Sequence, residues 1–524
     1  MDDAAAALAV AAGVLDVAVV RSRTLDDADA HQCFLYDLAH TASALEIARA
    51  LVDYGRAGPT EARLACAFLA DALGEFAARL FGREAAWGAE RDALDACHDF
   101  VAVCRHPDFV AGLADLDAPR HLDDDFELVA ETFRRFAQDK IAPAAEHIHR
   151  ADADIPDDII DGLAELGCFG LSVPEEYGGF AGGTESDYLG MVIATEELSR
   201  ASLGAGGSLI TRPEILTRAL ERGGTEEQKK HWFPRIASGE TMVAVAVTEP
   251  DYGSDVANLT VAATPTDGGW LISGVKTWCT FAGRADVIML LARTDPDRAK
   301  AHRGLSLFVV PKPRAAGHSF EFADERGGTM EGRAIPTLGY RGMHSFEIAF
   351  DGWFVAEENL VGGRDGLGQG FYLQMSGFEN GRLQTAARAV GVMQAAYDEA
   401  RAYAAERHVF ARPILDYQLT RVKLGRMATI IAASRQYSYV LARRMAVGEG
   451  AVEASMLKAY VCKAAEWVTR EALQIHGGFG FAEEYTVSRL FVDARVLSIF
   501  EGADETLALK VIARRLRTAA DDDG

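Results

Sequence analysis

Apolar residues recur every three to four positions along most of this chain, and every second position in a stretch near its middle. Residues 1 to about 120 are rich in Ala, Leu and Asp, and Gly58 with Pro59, then Gly82, divide them into three or four predicted helices. The helical pattern continues from His121 to about Glu240. There "DDIIDGLAELGCFG" runs into "PEEYGGFAGG", whose glycines admit backbone conformations closed to other residues. At Thr241 the period changes. "MVAVAV", "WLISGVKTW", "VIMLLART", "LSLFVVP" and "FEIAF" are β-branched and aromatic runs separated by turn signals such as Asp267, Gly268 and Gly269, so antiparallel strands are predicted to about Val355. After "GLGQGF" the helical period returns. Met393, Ala396, Tyr397, Ala400 and Ala404 share a face from which Asp398, Glu399 and Arg401 are excluded. Long helices are predicted to about Arg517, followed by a frayed acidic "DDDG" end.

Helix and sheet therefore segregate as in an α+β chain, without the βαβ alternation of a dinucleotide-binding fold. The expected domains are a helical extension (1–120), a helical domain (121–240), a β domain (241–355) and a C-terminal helical bundle (356–524). Composition adds limits. At 49% hydrophobic and 25% charged the chain is globular, and a net charge of -25 disfavours nonspecific nucleic-acid or anionic-membrane partners. Seven scattered cysteines form no CxxC pair, which points to reduced thiols, a cytoplasmic setting and no metal site. The apolar stretch Ala4 to Val20 carries Gly13 and Asp16 and follows Asp2 and Asp3, so it is expected to be a soluble helix, neither signal peptide nor membrane span.

Several motifs carry candidate chemistry beside a plainer reading. "QIHGGFGF" lacks a preceding strand and GxGxxG spacing, and by itself reads as a helix C-cap and turn, with His476 packing there. "VTEPDYGSD" reads as a turn after a strand. In "KTWCT", alternation places Trp278 and Thr280 on one side of a strand, where a core Trp is the plainer account. In "SIFEGADET", Glu501, Asp504 and Glu505 suit the start of a last helix, yet Glu501 follows Ile499 and Phe500, where its charge would be partly desolvated.

Taken in order, "PEEYGG", "GTEEQK", "VTEPDYGSD", "GVKTWCT", "RHVFARPILDYQ", "QIHGGFGF" and "IFEGADE" strongly resemble the acyl-CoA dehydrogenase family of flavoproteins across about residues 121 to 517. The resemblance implies FAD as cofactor and an acyl-CoA substrate, with "GRLQTAARAVGV" and the long extension favouring a short branched acyl group bearing a free carboxylate. Thr248, Gly253 and Ser254 match the loop that contacts flavin and thioester; Trp278 and Thr280 match positions flanking the isoalloxazine. Arg407, Phe410 and Gln418 match the motif that reaches FAD across a subunit interface, and Gln474 and Gly478 the turn beside its pyrophosphate and adenosine portion. Glu501 matches the catalytic base, with Ser254, Arg212 and Gly502 beside the substrate.

Some family members carry the base in the segment corresponding to "FENGRLQ"; the matching position here is Gly381, with Glu379 and Arg382 as neighbours, which leaves Glu501 as the base. Partial burial is expected to strengthen it toward a carbon acid. Two departures are Ala503 and Ala411, where the family often has Thr and Gly. Electron-transfer flavoprotein is the implied acceptor, and an extension covering the tetramer face implies a homodimer. The competing readings are a short- or branched-chain acyl-CoA dehydrogenase for another acyl group, an acyl-CoA oxidase, and a noncatalytic nucleic-acid-binding flavoprotein.

Overall fold

The computed structural model describes residues 1–184 and 186–518; the acidic "DDDG" end lies outside them. Two compact units emerge, one of Met1–Leu128 with Thr385–Gly524, the other Val129–Gln384.

In the first unit the extension opens with helices Asp2–Arg23, Gln32–Tyr54 and Pro59–Leu80. Pro59 sits in the first turn after an extended Gly58, where its missing N–H costs nothing, and Gly82 takes a left-handed φ of +75° just past the third helix. Helix Asp2–Arg23 is long and apolar enough to cross a membrane by length and composition. Here it buries a small-residue face, Ala4, Ala7, Ala11 and Ala18, and packs on helix Gln32–Tyr54. That second helix is buried on most sides, through Leu35, Leu38, Ala39, Ala42, Leu45 and Ile47 among others. A helix so apolar needs neighbours all round. It finds them in Gln418–Ala446 and Ala451–His476, so the extension shares a core with the C-terminal helices. Met393, Ala396, Tyr397, Ala400 and Ala404 are buried on helix Gly370–Glu406, as their spacing requires. Helix Ala451–His476 ends on Gly477 at φ +62°, the C-cap read from "QIHGGFGF", and His476 is buried, stacked on Tyr403.

The second unit carries an eight-stranded sheet: β1 (Val243–Ala246), β2 (Ala262–Thr266), β3 (Gly269–Thr280), β4 (Val287–Arg293), β5 (Leu305–Pro311), β6 (Ser319–Ala323), β7 (Thr329–Ala334) and β8 (Ser345–Ala356). Their order is β1-β4-β2-β3-β8-β7-β6, with β5 on β4. The sheet is antiparallel except that β1 and the end of β2 run parallel to β4. β4 is buried at every position, which is why "VIMLLAR" reads as a continuous apolar run. Helix Glu226–Ala237 starts with a capping box, Thr225 with Gln228.

β3 and β8 pair through a register shift between Lys276 and Cys279, a bulge that admits one extra residue on β3. The bulge corrects the expectation for "KTWCT". Trp278 sits on it at φ +58° and is 54% exposed, whereas Thr280 is buried with its hydroxyl 3.0 Å from Ser345 Oγ. Period-two alternation does not carry through the extra residue, so the two side chains do not share one environment. Nor is Trp278 a core residue.

Candidate functional site

In the second unit, "VTEPDYGSD" and "GVKTWCT" are brought together by groups that the motif match did not single out. Thr277 N–H donates to Thr248 O at 2.9 Å. Lys276, fully buried, donates from Nζ to Val247 O at 2.7 Å and to Glu249 Oε1 at 2.9 Å. Glu249 also accepts from Val261 N, Thr260 N and Thr260 Oγ1 at 2.9, 2.7 and 2.6 Å. Burial works to raise the Glu249 carboxyl, but the Lys276 charge and these donors outweigh it and hold it below its ordinary value. Burial pushes the Lys276 ammonium down to about 8, with Glu249 only partly offsetting it. This pair ties the loop after β1 to β3, leaving Gly253 and Ser254 exposed, Thr248 half-buried and the Trp278 indole half open. A Cβ at Gly253 would meet nothing within 4 Å. An exposed aromatic plane with accessible backbone in the same motif pair fits a flat heteroaromatic ring with polar edges, which is the chemistry of a flavin.

Arg212 lies in the same unit on helix Thr211–Gly223 and is buried. Its Nη1 donates to Ser208 O at 3.3 Å and its guanidinium stands 6.0 Å from the Tyr340 ring centroid. Among the described residues no carboxylate pairs with it.

In the first unit Glu501 lies just before the short helix Asp504–Thr506, at φ +54° and followed by Gly502 at φ +104°. Its side chain is 7% exposed. Arg388 Nη2, from a completely buried guanidinium, donates to Glu501 Oε1 at 2.8 Å and to Thr385 Oγ1 at 2.6 Å, and Thr385 donates to Glu501 Oε2. The guanidinium also lies 4.7 Å from the Phe500 ring centroid. Glu501 is therefore desolvated as expected, but not by apolar neighbours alone: Ile499 is exposed, and a guanidinium offsets the burial of the charge. Lys458 Nζ donates to Gly502 O at 2.7 Å.

Arg388, Thr385 and Lys458 were absent from the sequence-based site. The signal lay in "TAARAVG", where one arginine interrupts a run of small and apolar residues on a core helix face. Glu379, in the segment where other family members carry the base, belongs to the second unit; it is half-buried and its carboxyl is raised by burial.

Of the remaining positions, Arg407, Phe410, Gln418, Gln474 and Gly478 are all exposed on the first unit, Phe410 at 90% and φ +51°. Arg407 stands 5.9 Å from the Phe479 ring centroid, and Gln418 Nε2 donates to Asp108 Oδ1 of the extension at 2.6 Å.

Three stretches match family descriptions: "Acyl-CoA dehydrogenase, N-terminal domain" (residues 123–240), "middle domain" (244–353) and "C-terminal domain" (368–517). The chain is 44% identical over 397 residues, 75% of its length and 70% of the relative's, to "(2S)-methylsuccinyl-CoA dehydrogenase" of Cereibacter sphaeroides. It resembles the solved "glutaryl-coenzyme A dehydrogenase glutaryl-CoA complex" at 28% identity and a TM-score of 0.68, covering 78% of this chain and 97% of that one. A structure described as "Electron transferring flavoprotein of Acidaminococcus fermentans" matches at 28% identity and a TM-score of 0.67, covering 76% and 99%.

Proposed function

This chain belongs to the acyl-CoA dehydrogenase family of FAD-dependent oxidoreductases acting on CH–CH bonds, and from that premise we propose that it oxidises (2S)-methylsuccinyl-CoA to mesaconyl-CoA. The observation that carries the reading is Glu501: a nearly buried carboxylate in the family's base segment, oriented by Arg388 and Thr385. Trp278, Thr248, Gly253, Ser254 and Thr280 would hold the flavin ring. The exposed Arg407, Phe410, Gln418, Gln474 and Gly478 would meet FAD at a homodimer interface. When bound, FAD supplies the two-electron acceptor for the β-hydrogen.

Glu501 takes the α-proton. Two oriented donors, Arg388 Nη2 and Thr385 Oγ1, fix where its oxygens point. The backbone N–H of Glu501 would donate to the thioester oxygen as negative charge develops there, an interaction stronger in the transition state than before it.

The carboxylate of methylsuccinyl-CoA needs a buried cation that a plain alkyl chain does not. Arg212 supplies one without an acidic partner among the described residues. The 44% relative and the likeness to a glutaryl-CoA-bound dehydrogenase, also carrying an acyl group with a second carboxyl, support the same substrate class. Likeness to the Acidaminococcus structure supports an electron-transfer flavoprotein as acceptor.

Glu501→Gln should retain FAD and lose bleaching of the flavin by methylsuccinyl-CoA, while Glu379→Gln should bleach like the parent. The reverse pattern would move the base to Glu379.

A further inference from the structure

Asp504 stands three residues beyond Glu501, and two of its partners come from the N-terminal extension. Tyr36 donates its hydroxyl to Asp504 Oδ2 at 2.5 Å. His40 Nε2 lies 3.3 Å from that oxygen and 3.2 Å from Oδ1. Lys463 Nζ completes the group, 2.6 Å from the Tyr36 hydroxyl and 3.5 Å from Asp504. His40 and Asp504 are both buried. Tyr36 and His40 are four residues apart, hence on one face of helix Gln32–Tyr54, with ring centroids 4.5 Å apart. Burial would raise the Asp504 carboxyl, but His40, Tyr36 and Lys463 outweigh it and hold it at about 2.

The intervening turn is one that a loosely held backbone would leave. Glu501 and Gly502 both occupy the left-handed region, unfavourable for a glutamate. Asp504 N–H donates to Ser498 O at 3.2 Å, closing the turn, and a Cβ at Gly502 would approach Leu507 Cδ2 to 2.9 Å. An acid in the first turn of a helix is ordinarily satisfied by that helix's own N–H groups and water. Here it is gripped by two aromatic side chains of a core helix.

We propose that the extension positions the catalytic base: Tyr36 and His40 clamp Asp504 and thereby hold the Ser498–Asp504 turn in the conformation that presents Glu501. Both are positioning residues, and the catalytic half of the claim rests on Glu501 being the base. A rigid, buried helix is suited to this because its own conformation is fixed by core packing.

The test uses the full-length FAD-loaded protein with Tyr36→Phe, His40→Ala and the pair, and His40→Gln as the conservative replacement able to offer an N–H in place of Nε2. Hydrogen–deuterium exchange of the peptide 498–506 reads the turn independently of catalysis. Single-turnover flavin bleaching at saturating methylsuccinyl-CoA reads the base. The paired variant should exchange that peptide about tenfold faster and bleach roughly 10- to 100-fold more slowly, as expected for a base displaced by about an ångström, with KM and FAD content nearly unchanged. His40→Gln should recover most of both. Unchanged exchange would overturn the clamp, and faster exchange with an unchanged bleaching rate would overturn its catalytic role. A parent protein that no acyl-CoA bleaches would instead overturn the Glu501 assignment, while the exchange result would still decide the clamp. Should the paired variant lose FAD or fold, Tyr36→Phe, which removes only a hydroxyl, decides on the same two readouts.

Discussion

Lys276→Met breaks the buried pair that ties the two proposed flavin segments together, and its cost can be worked from the contacts. At the 2.9 Å separation of Nζ and Glu249 Oε1, the attraction is about 6 kcal/mol at an effective dielectric of 20. Three donors remain on Glu249 after the change, Val261 N, Thr260 N and Thr260 Oγ1, so the net loss should lie near 3 kcal/mol, the lower end for a broken buried pair. Glu249→Leu leaves the ammonium with Val247 O as its remaining acceptor and should cost nearer 5 kcal/mol at pH 7. For a unit of this size, 3 to 5 kcal/mol corresponds to roughly 6 to 20 °C in Tm. The pH dependence separates the two variants. Once Glu249 is gone, the buried amine can relieve its penalty by releasing its proton, so Glu249→Leu should recover stability between pH 7 and 9 and Lys276→Met should not. The double variant, with no buried charge, should regain most of the lost Tm yet bind FAD more weakly, because the loop bearing Thr248 and Ser254 has lost its tether. Differential scanning fluorimetry and the flavin-to-protein absorbance ratio provide both readouts. A loss below about 1 kcal/mol in either single variant would refute the tether, given that broken buried pairs cost several times more.

Three further outcomes are expected. Arg212→Ala should lower kcat/KM for methylsuccinyl-CoA by about 100- to 1,000-fold, the penalty of an unpaired buried carboxylate, and leave butyryl-CoA turnover within a few-fold; equal losses on both substrates would remove Arg212 from carboxylate recognition. Asp504 is depressed from 3.8 to about 2 in the folded chain, so its contribution to stability is complete above about pH 4 and lost as pH falls toward 2. Acid titration followed by circular dichroism should show that loss in the parent and a weaker pH dependence in Asp504→Asn. Light scattering should give a homodimer, with FAD lost on dilution to monomer; a tetramer would contradict the proposed covering role of the extension.

Much of this architecture was legible in the sequence, and the failures have local causes. β1, β3, β4, β5 and β8 coincide with apolar runs. β2, β6 and β7 were missed because "AATPT", "SFEFA" and "TMEGRA" are short, half-exposed and interrupted by Pro265, Gly332 or charge, and are held by pairing with neighbours that a local pattern does not contain. The Trp278 bulge was hidden for a related reason: an extra residue on one strand is visible only against its partner. In the site, Glu501 could be matched from its own segment. Arg388 and Thr385 are more than a hundred residues away from it in sequence and Tyr36 lies 468 residues from Asp504, so only folding brings the groups together. Short motifs single out a candidate residue; they do not show what holds it still.

The most direct test of the central claim is anaerobic titration of the purified yellow protein with methylsuccinyl-CoA, run in parallel on the parent and Glu501→Gln. Stoichiometric bleaching of the oxidised-flavin absorbance should occur in the parent and be absent from a fully FAD-loaded variant. Equal bleaching in both proteins would contradict the assignment of Glu501 as the base.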